Sequence, residues 1–211
     1  MSVTFASSGT VTRLKDCRHG RMLFLKRDVY IGRSLDVYGE FSELEGELFA
    51  QLLQPGAVVI EVGANIGAHT VHLAKLVGPQ GAVLAFEPQR VIHQLLCANV
   101  ALNELFNVHS FHAAAGRAPG SLKVPPLDYA AENNFGGLSL GGASTGEDVP
   151  VVTLDGFNLP AVRLLKVDVE GMEADVLLGA RQLIARHRPV LYVENDRRDK
   201  SEALILSLIH I

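Results

Sequence analysis

Cysteine is scarce in this chain: Cys17 and Cys97 are the only two, and neither sits in a C-x-x-C pair. So few and so scattered, they exclude a disulfide framework and point to a reducing compartment, the cytoplasm. Long apolar runs are missing too. No stretch approaches the roughly eighteen residues that a membrane span needs, and residues 1–10 lack the basic start and apolar core of a secretory leader. Neither secretion nor membrane insertion is expected. A basic run is also absent, with 19 Lys plus Arg against 23 Asp plus Glu. That balance argues against a nucleic-acid groove and against a polybasic membrane patch, which leaves a small molecule as the expected partner. What remains is 211 residues with 48% hydrophobic content, enough for one well-buried domain and too short for two.

Three segments carry the chemistry. The first is the apolar, β-branched run 58–62, as a strand buried on both faces of a sheet requires, which breaks into Glu61-x-Gly63-x-Asn65-x-Gly67. Helical spacing follows Gly67, so strand, glycine turn and helix arrive in order. Gly63 and Gly67 can take backbone angles closed to other residues and let a ligand approach where a side chain would stand, while the next helix presents unpaired N–H groups. The second segment is Phe86-Glu87-Pro88, at the end of another predicted parallel strand and twenty residues beyond Gly67. An acidic group there can accept both hydroxyls of a ribose, with charge-assisted hydrogen bonds of roughly 1.5–3 kcal/mol each. A dinucleotide-binding turn, G-x-G-x-x-G, needs glycine where this chain has Asn65, and its last glycine would fall on Ile66 or Ala68. An NAD-linked oxidoreductase is therefore disfavoured, and a cofactor without a pyrophosphate fits better.

The third segment runs from Leu164 to Ala180 and contains Lys166-Val167-Asp168-Val169-Glu170-Gly171-Met172-Glu173. Together with Tyr38-Gly39-Glu40, Asn134-Phe135-Gly136-Gly137 and Tyr192-Val193-Glu194-Asn195-Asp196, it resembles the FkbM family of S-adenosylmethionine-dependent methyltransferases. The resemblance spans about residues 30–204 and rests on the ordered motifs together. One departure is Glu61, where the family usually has aspartate. The resemblance implies S-adenosylmethionine as cofactor, held by Glu61 at its ammonium end, by Gly63, Asn65, Gly67 and Glu87, and closed over by Tyr38 and Glu40. It also implies methylation of a hydroxyl on a sugar or natural-product acceptor. A non-catalytic cofactor-binding or scaffold protein on the same fold is the competing reading.

The organisation expected is α/β: a doubly wound, Rossmann-like class I methyltransferase sheet behind a small N-terminal β cap. Residues 1–56 are read as that cap and a leading helix, with alternating hairpin segments over 3–38, Val29-Tyr30-Ile31 among them. Ser42-x-x-Glu45 reads as a capping box in front of Leu44, Leu48, Leu52 and Leu53, so a helix is expected to run to Gln54 and stop at Pro55-Gly56. Residues 57–205 form the core, with helices near 68–77, 89–103 and 172–186 and strands near 108–112, 164–168 and 190–194. The long interruption 116–149 suggests a short hairpin and a substrate lid. The sequence reads as stopping inside the helix after Glu194, which leaves an open sheet edge beside 190–194, and 206–211 match the translated end of a sequencing adapter, a non-native tail.

For the reaction itself, Asp168 and Glu170 at a strand end are the candidate catalytic carboxylates. Asp168 is preferred for lining the acceptor site or acting as base, and the two side chains are read as falling on different sides. Asn134, in the predicted lid, is the candidate acceptor contact. His69 and His72 have the spacing of one helical turn but no third ligand, so they are read as packed histidines and no metal is expected.

Overall fold

The computed structural model describes residues 11–140 and 142–209. Alternating residues near its start build one antiparallel hairpin, β1 (Thr12–Cys17) with β2 (Gly20–Leu25). Residues 3–10 of the expected cap lie outside the described residues. Val29-Tyr30-Ile31, read from the sequence as strand, instead leads into helix α1 (Ile31–Tyr38). Ile31 and Leu35, one turn apart, are the buried pair. The Asp28 carboxylate accepts the N–H groups of Tyr30 and Gly32 at 3.1 and 3.0 Å, satisfying donors that a helix start leaves open.

Helix α2 (Glu43–Leu52) also departs from its sequence reading. Leu44 is 81% exposed and Leu48 is exposed as well, while Phe49 and Leu53 enter the core. The capping box does not form. Ser42 is left-handed at φ 49°, and its hydroxyl donates to Glu45 Oε1 at 2.7 Å instead of accepting a backbone N–H.

The core follows as β3 (Val58–Val62), α3 (Ala68–Val77), β4 (Ala82–Phe86), α4 (Arg90–Leu102), β5 (Val108–Phe111), β6 (Ala114–Ala115), β7 (Gly120–Val124), β8 (Glu147–Val152), β9 (Leu164–Val167), α5 (Glu173–Leu178), α6 (Arg181–His187), β10 (Val190–Val193) and α7 (Arg198–Ile209). Five strands make one parallel sheet in the order β10-β9-β3-β4-β5. Alternation along the strands divides the core. Ile60, Val62, Leu165 and Val167 pack towards α5 and α6, through Val176, Leu177 and Leu183. Val59 and Leu164 face α2 and α3, through Phe49, Leu53, Leu73 and Val77. Glu61 and Lys166 continue that second row, so two ionisable residues are carried into an apolar layer.

The single helix expected over 172–186 is two helices, broken at Gly179. A Cβ at Gly179 would collide with the carbonyl oxygen of Gly116, so the close approach of the 116 loop requires glycine. Asp155 restarts the helix, accepting the N–H groups of Gln182 and Leu183 at 3.2 and 2.8 Å. The hairpin expected within 116–149 is present as β7 with β8, extended by β6. Asn99 of α4 is fully buried and joins three parts of the molecule. It accepts the Leu23 N–H at 2.6 Å and donates to the carbonyls of Leu23 and Ile66 at 3.0 and 2.8 Å. Among the described residues no helix is long and apolar enough to cross a membrane. α7 includes residues 206–209 of the segment read as adapter-derived, and 210–211 lie outside the described residues.

Candidate functional site

The carboxyl ends of β3, β4 and β9 meet at one turn, where ligands lie in open α/β sheets. Gly63 sits at φ 84°, and a Cβ there would collide with the Asp168 carbonyl oxygen, so glycine is what lets the β3 turn touch the end of β9. Asn65 is left-handed at φ 50°, a conformation its short amide tolerates, with Oδ1 accepting the Ile66 N–H at 2.7 Å. The Asn65 N–H donates to Glu87 Oε2 at 3.0 Å, and the Gln89 N–H donates to Glu87 Oε1 at 2.8 Å. The two glycine and acid motifs are thus one hydrogen-bonded unit. Glu87 is only 4% exposed, and burial raises its carboxyl to about 7 despite those two N–H bonds, which favour the ionised form.

Behind this turn lies a charge network in the α2/α3 layer. Lys166 and Glu61 are register partners on β9 and β3, and Tyr192 of β10 extends the row. Lys166 is 1% exposed, and its ammonium lies 3.0 Å from Asp168 Oδ2 and 3.9 Å from Glu61 Oε1. Burial pulls its pKa down, and the surrounding carboxylates more than offset that, leaving it raised. Glu61 is fully buried; burial raises its pKa even with Lys166 beside it. The Thr70 hydroxyl donates to Glu61 Oε2 at 2.6 Å. A Thr70→Val variant leaves that oxygen unpartnered and should lose about 1–3 kcal/mol, seen as a lower urea midpoint with an unchanged slope.

Asp168 and Glu170 both line the same cavity, which overturns the expectation that they fall on different sides. Residues two apart along an extended chain share a face, and Glu170 lies beyond the strand at φ 54°. Burial works against ionisation of Asp168, yet the Lys166 ammonium and a hydrogen bond with Glu194 hold its pKa below the usual carboxylate range. Glu194 takes the opposite course. Burial first, then the Asp168 partner, raise it to about 8, so it carries the proton of the pair at neutral pH. Glu170 is ion-paired with Arg197, and Glu173 Oε1 accepts the Gly171 N–H at 2.9 Å, fixing the turn. Among the described residues, Glu170, Glu194 and Asp196 bring ligand atoms within 4.8 Å of one another, close enough to hold a cation, although Arg197 already neutralises part of that charge.

The cavity over this floor measures about 830 Å³, at the upper end of the roughly 300–1,000 Å³ typical of small-molecule sites. Glu61, Gly63, Asn65, Glu87, Asn134, Asp168, Glu170 and Tyr38 all line it. Two sequence candidates do not. Gly67 is the N-cap of α3, behind the turn, and Glu40 pairs with Arg18. Asn134 holds its own loop, with Oδ1 accepting the Gly137 N–H at 3.1 Å. His69 is packed, its Nε2 3.2 Å from Glu45 Oε2. The Glu45 carboxyl is driven down to about 2: burial opposes this, and hydrogen bonds from His69 and Ser42 outweigh it. Sequence reading placed Glu45 in a capping box and missed its position on the cavity wall. It also passed over Gln89, whose only signal was its place directly after Phe86-Glu87-Pro88.

Comparison with known proteins gives the family and the fold. The methyltransferase FkbM domain matches residues 61–208. Methyltransferase 1 of Beauveria bassiana is 31% identical over 143 residues, 57% of this chain and 57% of that protein. Methyltransferase sdnD of Sordaria araneosa is 29% identical over 163 residues, 57% of this chain and 59% of that protein. The chain thus spans little more than half the length of these fungal relatives. Two crystal structures share its fold: the FkbM methyltransferase of Methylobacillus flagellatus (20% identity, TM-score 0.52, 79% of this chain and 44% of that one) and SMU.1697c of Streptococcus mutans, a putative methyltransferase in complex with SAH (14%, TM-score 0.52, 80% of each). The glycine turn bonded to Glu87, the Lys166-x-Asp168-x-Glu170 strand end and a family match covering most of the chain converge, and the protein belongs to the FkbM-domain methyltransferases.

Proposed function

We propose that the cavity binds S-adenosylmethionine and that the chain methylates a hydroxyl on a neutral sugar or natural-product small molecule. The observation that carries the reading is Glu87, buried at the end of β4 and bonded to the turn that Gly63 and Asn65 form. The residues present fit the cofactor. Each Glu87 oxygen accepts one backbone N–H, and a carboxylate has about four lone-pair sites, so acceptors remain for two ribose hydroxyls. Gly63 and Asn65 leave the approach clear, Glu61 supports the ammonium end from beneath, Gly67 shapes the turn, and Tyr38 stands at the rim. Glu40 acts at a distance by fixing the end of α1 through Arg18.

When bound, the cofactor supplies an electrophilic methyl group on a sulfonium. The protein supplies alignment and a proton acceptor. Asp168 takes the hydroxyl proton: Lys166 keeps it ionised, and a weak base suffices because a hydroxyl acidifies as its oxygen is alkylated. Glu170, anchored by Arg197, positions the acceptor, and Asn134 contacts it from above. Even with Glu194 protonated and Arg197 paired to Glu170, the described lining holds seven acidic residues (Glu45, Glu61, Glu87, Asp168, Glu170, Glu194, Asp196) against two lysines or arginines, Lys166 and Arg33. Such a wall disfavours phosphorylated acceptors and nucleic acids, while the exposed Tyr30, Val37 and Tyr38 at the rim suit an apolar face.

Labelled methyl transfer to matched panels of hydroxylated, amino and phosphorylated compounds, with products identified by mass spectrometry, tests this. Transfer to neutral hydroxyls is expected. Asp168→Asn should lower kcat about a hundredfold while SAH affinity stays within a few-fold. Transfer confined to amines or phosphorylated compounds, or an unchanged rate in Asp168→Asn, would sink the assignment.

A further inference from the structure

Gln89 is only 5% exposed and lines the cavity two residues after Glu87. It is the N-cap of α4, where a side-chain oxygen ordinarily accepts an N–H of the first turn, but it makes no such bond. It is held from two other sides. Its backbone N–H donates to Glu87 Oε1 at 2.8 Å, and its side-chain Nε2 donates to the Phe135 carbonyl at 2.7 Å. Phe135 is fully buried, and the segment before it is tied down: the Asn133 N–H donates to Arg27 O at 3.1 Å, and the Val29 N–H to Asn133 O at 3.0 Å. The amide is therefore oriented, and its remaining acceptor, Oε1, is buried with no partner among the described residues. Folded proteins seldom leave such an atom unpaired, because it forgoes the hydrogen bonds that water would supply.

We propose that Gln89 Oε1 accepts a hydrogen bond from the nucleoside half of the cofactor, an inference that rests on the cofactor reading above. The nucleoside offers two kinds of donor, the ribose hydroxyls and the exocyclic amine of adenine. Glu87 supplies acceptors for the hydroxyls, so the amine is the donor still lacking a partner. Gln89 thereby links the nucleoside to the Phe135 segment, since one amide serves both.

The test is titration calorimetry on the full chain and on Gln89→Leu, both checked for folding by circular dichroism, with three probes: S-adenosylhomocysteine, its 6-oxo (inosyl) analogue, and its 2′- and 3′-deoxy analogues. Wild type should bind the 6-oxo analogue about tenfold more weakly than the parent, and Gln89→Leu should lose about tenfold for the parent yet no longer distinguish the two. If discrimination is lost for a deoxy analogue instead, the donor is a ribose hydroxyl and the contact stands. Equal weakening towards every probe would overturn it, because a side chain that only supports the Phe135 loop cannot tell the ligands apart. Should Gln89→Leu fail to fold, the unbranched Gln89→Met carries the same comparison. Failure of wild type to bind the parent compound would instead overturn the cofactor reading, and this contact with it.

Discussion

Lys166→Met should melt roughly 6–20 °C below the wild type at pH 7. Among the described residues the ammonium is the only lysine or arginine charge paired with Glu61 and Asp168, and removing one partner of a buried pair costs about 3–5 kcal/mol, each kcal/mol being worth roughly 2–4 °C in a domain of this size. The sign with pH follows from the groups. Lys166 has a raised pKa, so its contribution is fully present below the unfolded value and lost only as pH rises through the folded one. At pH 7 it is intact in the wild type. Without it, Glu61, already raised by burial, must hold a proton to stay buried, so the deficit should be smaller at pH 5 than at pH 8. Adding Glu61→Gln to Lys166→Met should recover part of the loss. Calorimetric melts of the wild type and the two variants at both pH values check this, and a Lys166→Met melt within 2 °C of wild type would show that the network is not what holds the layer together.

Glu87→Gln should bind S-adenosylhomocysteine roughly a hundred- to a thousandfold more weakly, because a carboxylate oxygen that accepts is replaced by an amide that donates and charge-assisted bonds of about 1.5–3 kcal/mol each are lost. The wild type should also show a pH dependence that the variant lacks. With its pKa raised to about 7, Glu87 is largely protonated at pH 6 and ionised at pH 8, and only the ionised form accepts both hydroxyls, so affinity should climb about tenfold per unit below 7 and then level off. Stability of the ligand-free protein moves the other way. An acid raised in the folded state contributes stability present below its unfolded pKa and lost as pH rises through about 7. Glu87→Gln, whose amide sets a donor against the Asn65 or Gln89 N–H, should melt below wild type, by less at pH 8 than at pH 5, and circular dichroism showing it folded at the titration temperature separates a lost ligand contact from a lost fold. Calorimetric titration at pH 6, 7 and 8 decides it; affinity that falls with pH would exclude Glu87 as the ribose carboxylate.

The parallel strands were legible because burial on both faces demands nearly continuous apolar runs: 82–86 is one, and 58–62 and 164–167 are each interrupted by a single ionisable residue, Glu61 and Lys166. The α1 region was not. Val29-Tyr30-Ile31 has strand composition, and what makes the segment helical is Asp28, whose carboxylate serves two N–H groups of the first turn. The break at Gly179 was hidden for a related reason: its cause is the Gly116 carbonyl, some sixty residues away in sequence. Within the site, Glu61, Gly63, Asn65 and Glu87 could be found by spacing, since consecutive βα units place them together. Glu45, Gln89 and the pairing of Asp168 with Glu194 depend on which side chains meet across elements, and no periodicity encodes that.

Asn99 bears on how the protein can be divided. Its amide joins β2 to α4 and to the carbonyl of Ile66 inside the glycine turn. A chimera spliced at the junction of residues 56 and 57 would inherit every strand of the five-stranded sheet and still strand that amide, with a foreign N-terminus unable to return the Leu23 N–H and carbonyl it was shaped to meet. For recombination the hairpin and the methyltransferase core are one heritable block, and crossovers that keep β2 together with α4 are the ones to try.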